Sequence, residues 1–269
     1  MNHLDILNLN KIHPPVQTWL KNDDKKQWQH NRKQLGEGWY YYNADDIEYK
    51  HNSYGYRCPE FDSFKWKNKV LFMGCSHVYG KGNYLKDTIP SLYSKLSGIP
   101  TINMGVCGSG PDTIHHNTIA LIEKNYIPKK VIICWPEISR QMFYNGAEVN
   151  SGEKPLFLGN WVVEDNDWTF SRMMHVKKRQ QDAYINFVEN TEHYKTIAYL
   201  LQTSVMNAWK LAGVPVNNYY FHYGKFMIDN QTAFPFKLLP PGVDRARDCL
   251  HYGSKSNKIF AEYIDKYTQ

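Results

Sequence analysis

The chain has 269 residues, of which 42% are apolar, 15% aromatic and 22% charged, with a formal net charge of +6. That length suits one large α/β domain with loop insertions, and the ordinary apolar share predicts a packed core. The basic residues form only short runs, at Lys25–Lys26, Lys129–Lys130 and Lys177-Lys178-Arg179, with acidic residues interspersed; this reads as a solvated surface, with no nucleic acid as partner.

Five cysteines, Cys58, Cys75, Cys107, Cys134 and Cys249, make an odd number with no CxxC pair. A disulfide framework is therefore not expected, a reducing compartment is favoured, and the metal expectation is none. The first residues have no basic start followed by an apolar run, so no signal peptide is expected, and no apolar stretch reaches the ~20 residues of a membrane span. The expected setting is cytoplasmic synthesis, with release or assembly into a larger particle such as a virion as the route outside.

Residues 1–66 are polar, aromatic and without a clean period, and read as an N-terminal extension laid over a core at 67–269. Within it, Trp39-Tyr40-Tyr41-Tyr42 reads as a short strand followed by a turn at Asp45-Asp46, and Gly55 marks a tight turn. Val70-Leu71-Phe72-Met73 is a continuous apolar run closed by Gly74, the pattern of a parallel strand buried on both faces. A helix follows from Asp87 to about Ser97, with Thr88 or Asp87 as N-cap and Pro90 in the first turn. Thr101–Met104 is a second strand, Asp112–Asn125 a helix, and Val131–Trp135 a third strand stopped by Pro136. His115-His116 falls on that helix as a solvated or satisfied pair.

Three strand–helix alternations predict a right-handed parallel α/β sheet. Residues 137–181 lack periodicity and form an insertion, a lid or a binding surface. Helical patterning returns from Ala183 to Leu211, Pro215–His222 reads as a fourth strand, 223–247 as irregular, and Ser254–Tyr267 as a C-terminal helix.

Ligands of open α/β sheets bind beyond the carboxyl ends of the strands, so the strand-end residues belong together. They are Gly74-Cys75-Ser76-His77-Val78-Tyr79-Gly80, then Gly105-Val106-Cys107-Gly108, then Trp135-Pro136-Glu137-Ile138-Ser139-Arg140, and Asp248-Cys249-Leu250-His251 ahead of the last helix. This set resembles the SGNH/GDSL hydrolases. Gly74-Cys75-Ser76 with Gly80 matches their first block, with Cys75 in place of the usual Asp. Asn103-Met104-Gly105-Val106-Cys107-Gly108 matches the second, and Asp248-x-x-His251 the last. The Gly-Cys-Ser-His variant and Asn52-x-x-Gly55-x-Arg57 look like features of phage and marine bacterial members.

The resemblance implies a three-layer, flavodoxin-like sandwich around a mostly parallel sheet. It implies a Ser76 nucleophile, His251 as base, Asp248 as its partner, and an oxyanion hole from the Ser76 and Gly108 backbone N–H groups. A serine hydroxyl needs such a base to become nucleophilic. The third block should supply an Asn and has none. Ser139 or Arg140 replaces it, or two donors suffice, or the site is inactive. Around the site, Trp135 is expected on the pocket wall. His77 contacts substrate or packs under the extension, and Arg140 binds an acidic sugar or lipid head group or forms an ion pair. The implied activity is cleavage of a small acyl ester, with an O-acetylated carbohydrate as the favoured substrate and no cofactor. The alternative is a catalytically degenerate binding or structural protein of the same fold, for example a phage-particle component recognising surface glycans.

Overall fold

In a computed structural model of the protein, described over residues 4–10, 12–21, 23–144, 155–158, 185–186, 191–221 and 235–268, the N-terminal segment builds three small elements before the core starts. They are β1 (Val16–Gln17), α1 (Lys25–Leu35) and β2 (Tyr49–Lys50), with β1 and β2 paired antiparallel. Asp24 caps α1 by accepting from the Gln27 amide, and only Trp28 and Asn31 of its eleven residues are buried. The aromatic run 39–42 is not a strand. Successive turn bonds, Trp39 N to Gly36 O, Tyr42 N to Trp39 O and Ala44 N to Tyr41 O, fold it into tight turns. That puts Tyr41 inside and leaves Tyr40 half-exposed.

The core follows in chain order as β3 (Val70–Gly74), α2 (Ser76–Tyr79), α3 (Ile89–Ser97), β4 (Thr101–Gly105), α4 (Pro111–Glu123) and β5 (Lys130–Trp135). After β5 come β6 (Gln141–Tyr144) and β7 (Pro155–Leu158), an antiparallel pair, then α5 (Thr191–Leu211), β8 (Val216–Tyr220), β9 (Lys237–Leu238) and α6 (Ser254–Thr268). Most of the 137–181 insertion, and His222 with most of 223–234, lie outside the described residues. Thr88, not Asp87, is the N-cap of α3. The two-residue strand β9 falls in a stretch read from sequence as irregular.

The central sheet has the order β4-β3-β5-β8-β9 and all its pairs are parallel. Renumbered by sequence within the sheet, this is 2-1-3-4-5, the flavodoxin-like order of doubly wound folds. Alternate residues of each strand face opposite sides. Leu71, Met73, Val131, Ile133 and Tyr220 pack with Ile114 and Leu121 of α4 and Val205 and Trp209 of α5. Val70, Phe72, Ile132, Cys134 and Tyr219 pack with Ile89 and Tyr93 of α3 and Phe260 and Ile264 of α6. The molecule is therefore a three-layer α/β sandwich, and the continuous apolar runs of its strands follow from burial on both faces. Ile6, Leu7, Leu9, Tyr56, Phe61 and Trp66 of the N-terminal segment join the first of these cores. Among the described residues, no helix is long and apolar enough to cross a membrane.

Candidate active site

Ser76 is the first residue of α2, directly beyond the carboxyl end of β3. The short helix lies across the strand ends, and Gly105 at the end of β4 makes room for it: a Cβ there would stand 2.2 Å from the Tyr79 amide nitrogen. Asn103 fixes the same contact, donating from Nδ2 to Val78 O at 3.0 Å and accepting the Gly105 amide at 3.0 Å. The far end of α2 is held by Arg57, whose guanidinium donates to Tyr79 O, Gly80 O, Glu48 O and Asn83 O at 2.9–3.3 Å. The turn of Asn52-x-x-Gly55-x-Arg57 delivers that side chain. Asn52 Oδ1 accepts the Tyr54 and Tyr56 amides, with Gly55 at φ 84° between them.

The loop before α6 brings two more groups to Ser76. His251 Nε2 lies 2.8 Å from Ser76 Oγ, and His251 Nδ1 lies 2.5 Å from Asp248 Oδ2. Asp248 is buried. Its other oxygen accepts the Leu250 and His251 amides, each at 3.0 Å. Burial pushes the Asp248 carboxyl up, but the charge of His251, its two hydrogen bonds and the charge of Lys81 together hold it below the usual carboxylate range. An ionised Asp248 makes Nδ1 the protonated nitrogen, so Nε2 is free to accept the Ser76 hydroxyl proton. The arrangement is able to generate an alkoxide-like oxygen at Ser76 and to store its proton on an imidazolium beside a carboxylate.

The loop carrying Asp248 and His251 is pinned from the opposite end of the chain. Arg247 is fully buried and donates to Asp23 through Nε (2.9 Å) and Nη2 (2.6 Å), to Ala44 O and to Thr18 O, while its guanidinium lies 3.9 Å from the Trp19 ring centre. Asp23 also accepts the Tyr49 hydroxyl, which in turn accepts the Gly82 amide. Arg247 N donates to Gly82 O, and Asn31 Nδ2 donates to Arg247 O. Nothing in the sequence pointed to this scaffold, since no local spacing relates Asp23 to Arg247.

Gly108 stands in the turn after β4 with φ 80°, a conformation that favours glycine. That turn is tied to the strand that ends at the nucleophile: Val106 N and Ser109 Oγ both donate to Gly74 O. Ser139 is buried and its hydroxyl donates to Glu137 Oε1 at 3.1 Å. Arg140 Nε lies 3.7 Å from Glu137 Oε2. His77 packs beside His251, ring centres 4.9 Å apart, and against Phe221 and Tyr252, so its contacts are with the C-terminal half. Burial first, then the charges of His251, Arg140 and Arg245, keep His77 far below the usual imidazole range and therefore neutral. Trp135 corrects the pocket-wall expectation. It is 2% exposed in the core, with its indole N–H on Asn218 Oδ1; it belongs to the alternating pattern of β5. His115 and His116 are both partnered, by Ser204 Oγ and Asp5 O. Among the described residues, no group of three or more His, Cys, Asp or Glu could hold a metal ion.

No family model and no curated protein matches the chain. Among solved structures it is similar to a lipolytic protein of the G-D-S-L family from Desulfitobacterium hafniense DCB-2, at 13% identity and a TM-score of 0.32, over 74% of this chain and 98% of that one. It is also similar to the acetyl xylan esterase Est2A of Butyrivibrio proteoclasticus, at 13% identity and a TM-score of 0.35, over 76% of this chain and 64% of that one.

Proposed function

We propose that the chain is a serine hydrolase of the SGNH type that cleaves a small acyl ester. The observation that carries this reading is the continuous relay from Ser76 Oγ through His251 to the buried Asp248. His251 takes the hydroxyl proton as Ser76 attacks the ester carbonyl, and Asp248 keeps the ring in the acceptor tautomer and stabilises its charged form. The Ser76 and Gly108 N–H groups are the proposed donors to the tetrahedral oxyanion. His251 then returns its proton to the leaving alcohol, and a water deprotonated by the same ring releases the acyl group from Ser76. An O-acetylated carbohydrate is the proposed substrate, with no cofactor.

One observation favours a second reading, a binding or structural protein that keeps the fold inside a larger particle. The loop after β5 offers no Asn, and the Ser139 hydroxyl is directed at Glu137. The two readings separate in one assay. Wild type is expected to hydrolyse 4-nitrophenyl acetate and to be labelled by a fluorophosphonate, and Ser76→Ala to lose about 10⁴-fold or more of kcat. Absence of both turnover and labelling in folded wild type overturns the hydrolase and leaves the binding protein.

A further inference from the structure

The residues after α2, Gly80-Lys81-Gly82-Asn83, form a turn that hangs on Ser76 and touches the loop of Asp248 and His251. The Gly80 and Lys81 amides both donate to Ser76 O, at 3.0 and 3.1 Å, and the Asn83 amide closes the turn on Gly80 O at 3.1 Å. From the loop, Arg247 N donates to Gly82 O at 3.1 Å. The approach is close: a Cβ on Gly82 would stand 2.8 Å from Ala246 Cβ and 3.3 Å from Asp248 Oδ1.

Asn83 makes a second tie with its side chain, which is buried. Its Nδ2 donates to Lys81 O inside the turn and to Tyr252 O, the carbonyl of the residue after His251, each at 3.0 Å. Its Oδ1 accepts the Tyr41 hydroxyl at 2.5 Å, and that hydroxyl accepts the Ser254 amide. Both N–H donors and the oxygen of the amide are thus engaged, and a flipped amide would set its oxygen against two carbonyls. The bonds to Arg247 N and to Tyr252 O bracket Asp248 and His251 on either side.

A proton passes between Ser76 Oγ and His251 Nε2 only across a hydrogen bond of correct length, here 2.8 Å between residues 175 positions apart. They sit on separate elements, so contacts between those elements set that length. We propose that Asn83 is a positioning residue of the hydrolytic step, its amide fixing the Ser76–His251 distance by joining the turn that hangs on Ser76 to the backbone beside His251. This rests on the hydrolase reading and adds to it a residue that never meets the ester.

Asn83→Asp keeps the acceptor for Tyr41 and removes both donors. Its kcat toward 4-nitrophenyl acetate, per folded molecule and well below the melting transition, is expected to fall about 10- to 100-fold, the usual cost of a small misplacement. KM should stay within about threefold, since only the chemical step is touched. Where Asn83→Asp does not fold, Asn83→Ser carries the same expectation. Asn117→Ala is the control for mere loosening. Asn117 is also buried, on α4, and holds the N-terminal segment through Leu7 N and the Tyr56 hydroxyl; its loss should lower the melting temperature and leave kcat within about threefold. An unchanged kcat in folded Asn83→Asp, a change confined to KM, or an equal fall in Asn117→Ala overturns the role. The nitrogen chemical shift of His251 Nε2 separates the role from the hydrolase reading, because it needs no turnover. In the wild-type background Ser76→Ala should displace that signal by removing its hydrogen-bond partner, and in the Asn83→Asp background it should displace it much less. A protein without turnover that shows this pattern loses the hydrolase and keeps the positioning role. Turnover with equal displacement in both backgrounds, or with none in either, keeps the hydrolase and overturns the role.

Discussion

The loop carrying Asp248 and His251 and the loop after β5 reach the same edge of the sheet, but their polar groups are spent differently. In the first, Arg247 points away from the site into Asp23, Thr18 and Ala44, and Asp248 and His251 are left facing Ser76. In the second, Ser139 and Arg140 turn toward Glu137 of their own loop. A residue type at the right place in the chain is thus not yet a working group. What counts is whether its hydrogens are already committed elsewhere, and whether a neighbour outside the site bears the strain of holding it.

Three changes sharpen that contrast. Asp248→Asn should have the largest effect, a fall of about 10⁴-fold in kcat toward 4-nitrophenyl acetate with the fold intact by circular dichroism, because the amide favours the wrong imidazole tautomer. The same variant carries a pH signature. The Asp248 carboxyl is held below its ordinary value in the folded chain, so its stabilising contribution is complete above about pH 4 and is lost as pH falls through the depressed folded value. Urea melts should show a stability gap between wild type and Asp248→Asn that is level at neutral pH and narrows in acid. A gap that widens in acid would contradict the assignment.

Next is Asp23→Ala, which strands the buried Arg247 charge and should destabilise by about 3–5 kcal/mol. Because Arg247 adjoins Asp248, kcat should fall as well, at temperatures where the variant is still folded; unchanged kcat there would mean the loop needs no anchor. Ser139→Ala is the smallest change, within about threefold of wild-type kcat. A working oxyanion donor costs ~10²–10³ when removed, so a loss of that size would restore Ser139 to the oxyanion hole.

The sheet was readable in advance because strands buried on both faces are continuous apolar runs, as Val70–Met73 and Val131–Trp135 are. Helix α1 was not, since two buried residues in eleven leave no stripe to detect. Strand β9 is two residues long, too short for any pattern. Ser76, Asp248 and His251 were legible as candidates because their blocks stand at strand ends and ahead of the last helix and resemble those of the SGNH/GDSL hydrolases. Trp135 was misjudged because a Trp at a strand end looks alike whether it faces a pocket or the core, and its partner Asn218 is 83 residues away. Asp23 had no signal at all, being one acid in a polar segment.

The Asp23–Arg247 bond joins residues 224 positions apart, and that separation sets an order of events. Closing so long a loop is slow and entropically expensive, so the contact forms after the sheet has brought both ends near. A chain emerging N-terminus first holds Ser76 long before it holds either Arg247 or His251. On the hydrolase reading, the serine gains its base only once folding has brought His251 to it. On that reading, hydrolytic competence would be a late checkpoint on folding, passed only when the segment of Asp23 and the segment of Arg247 have met.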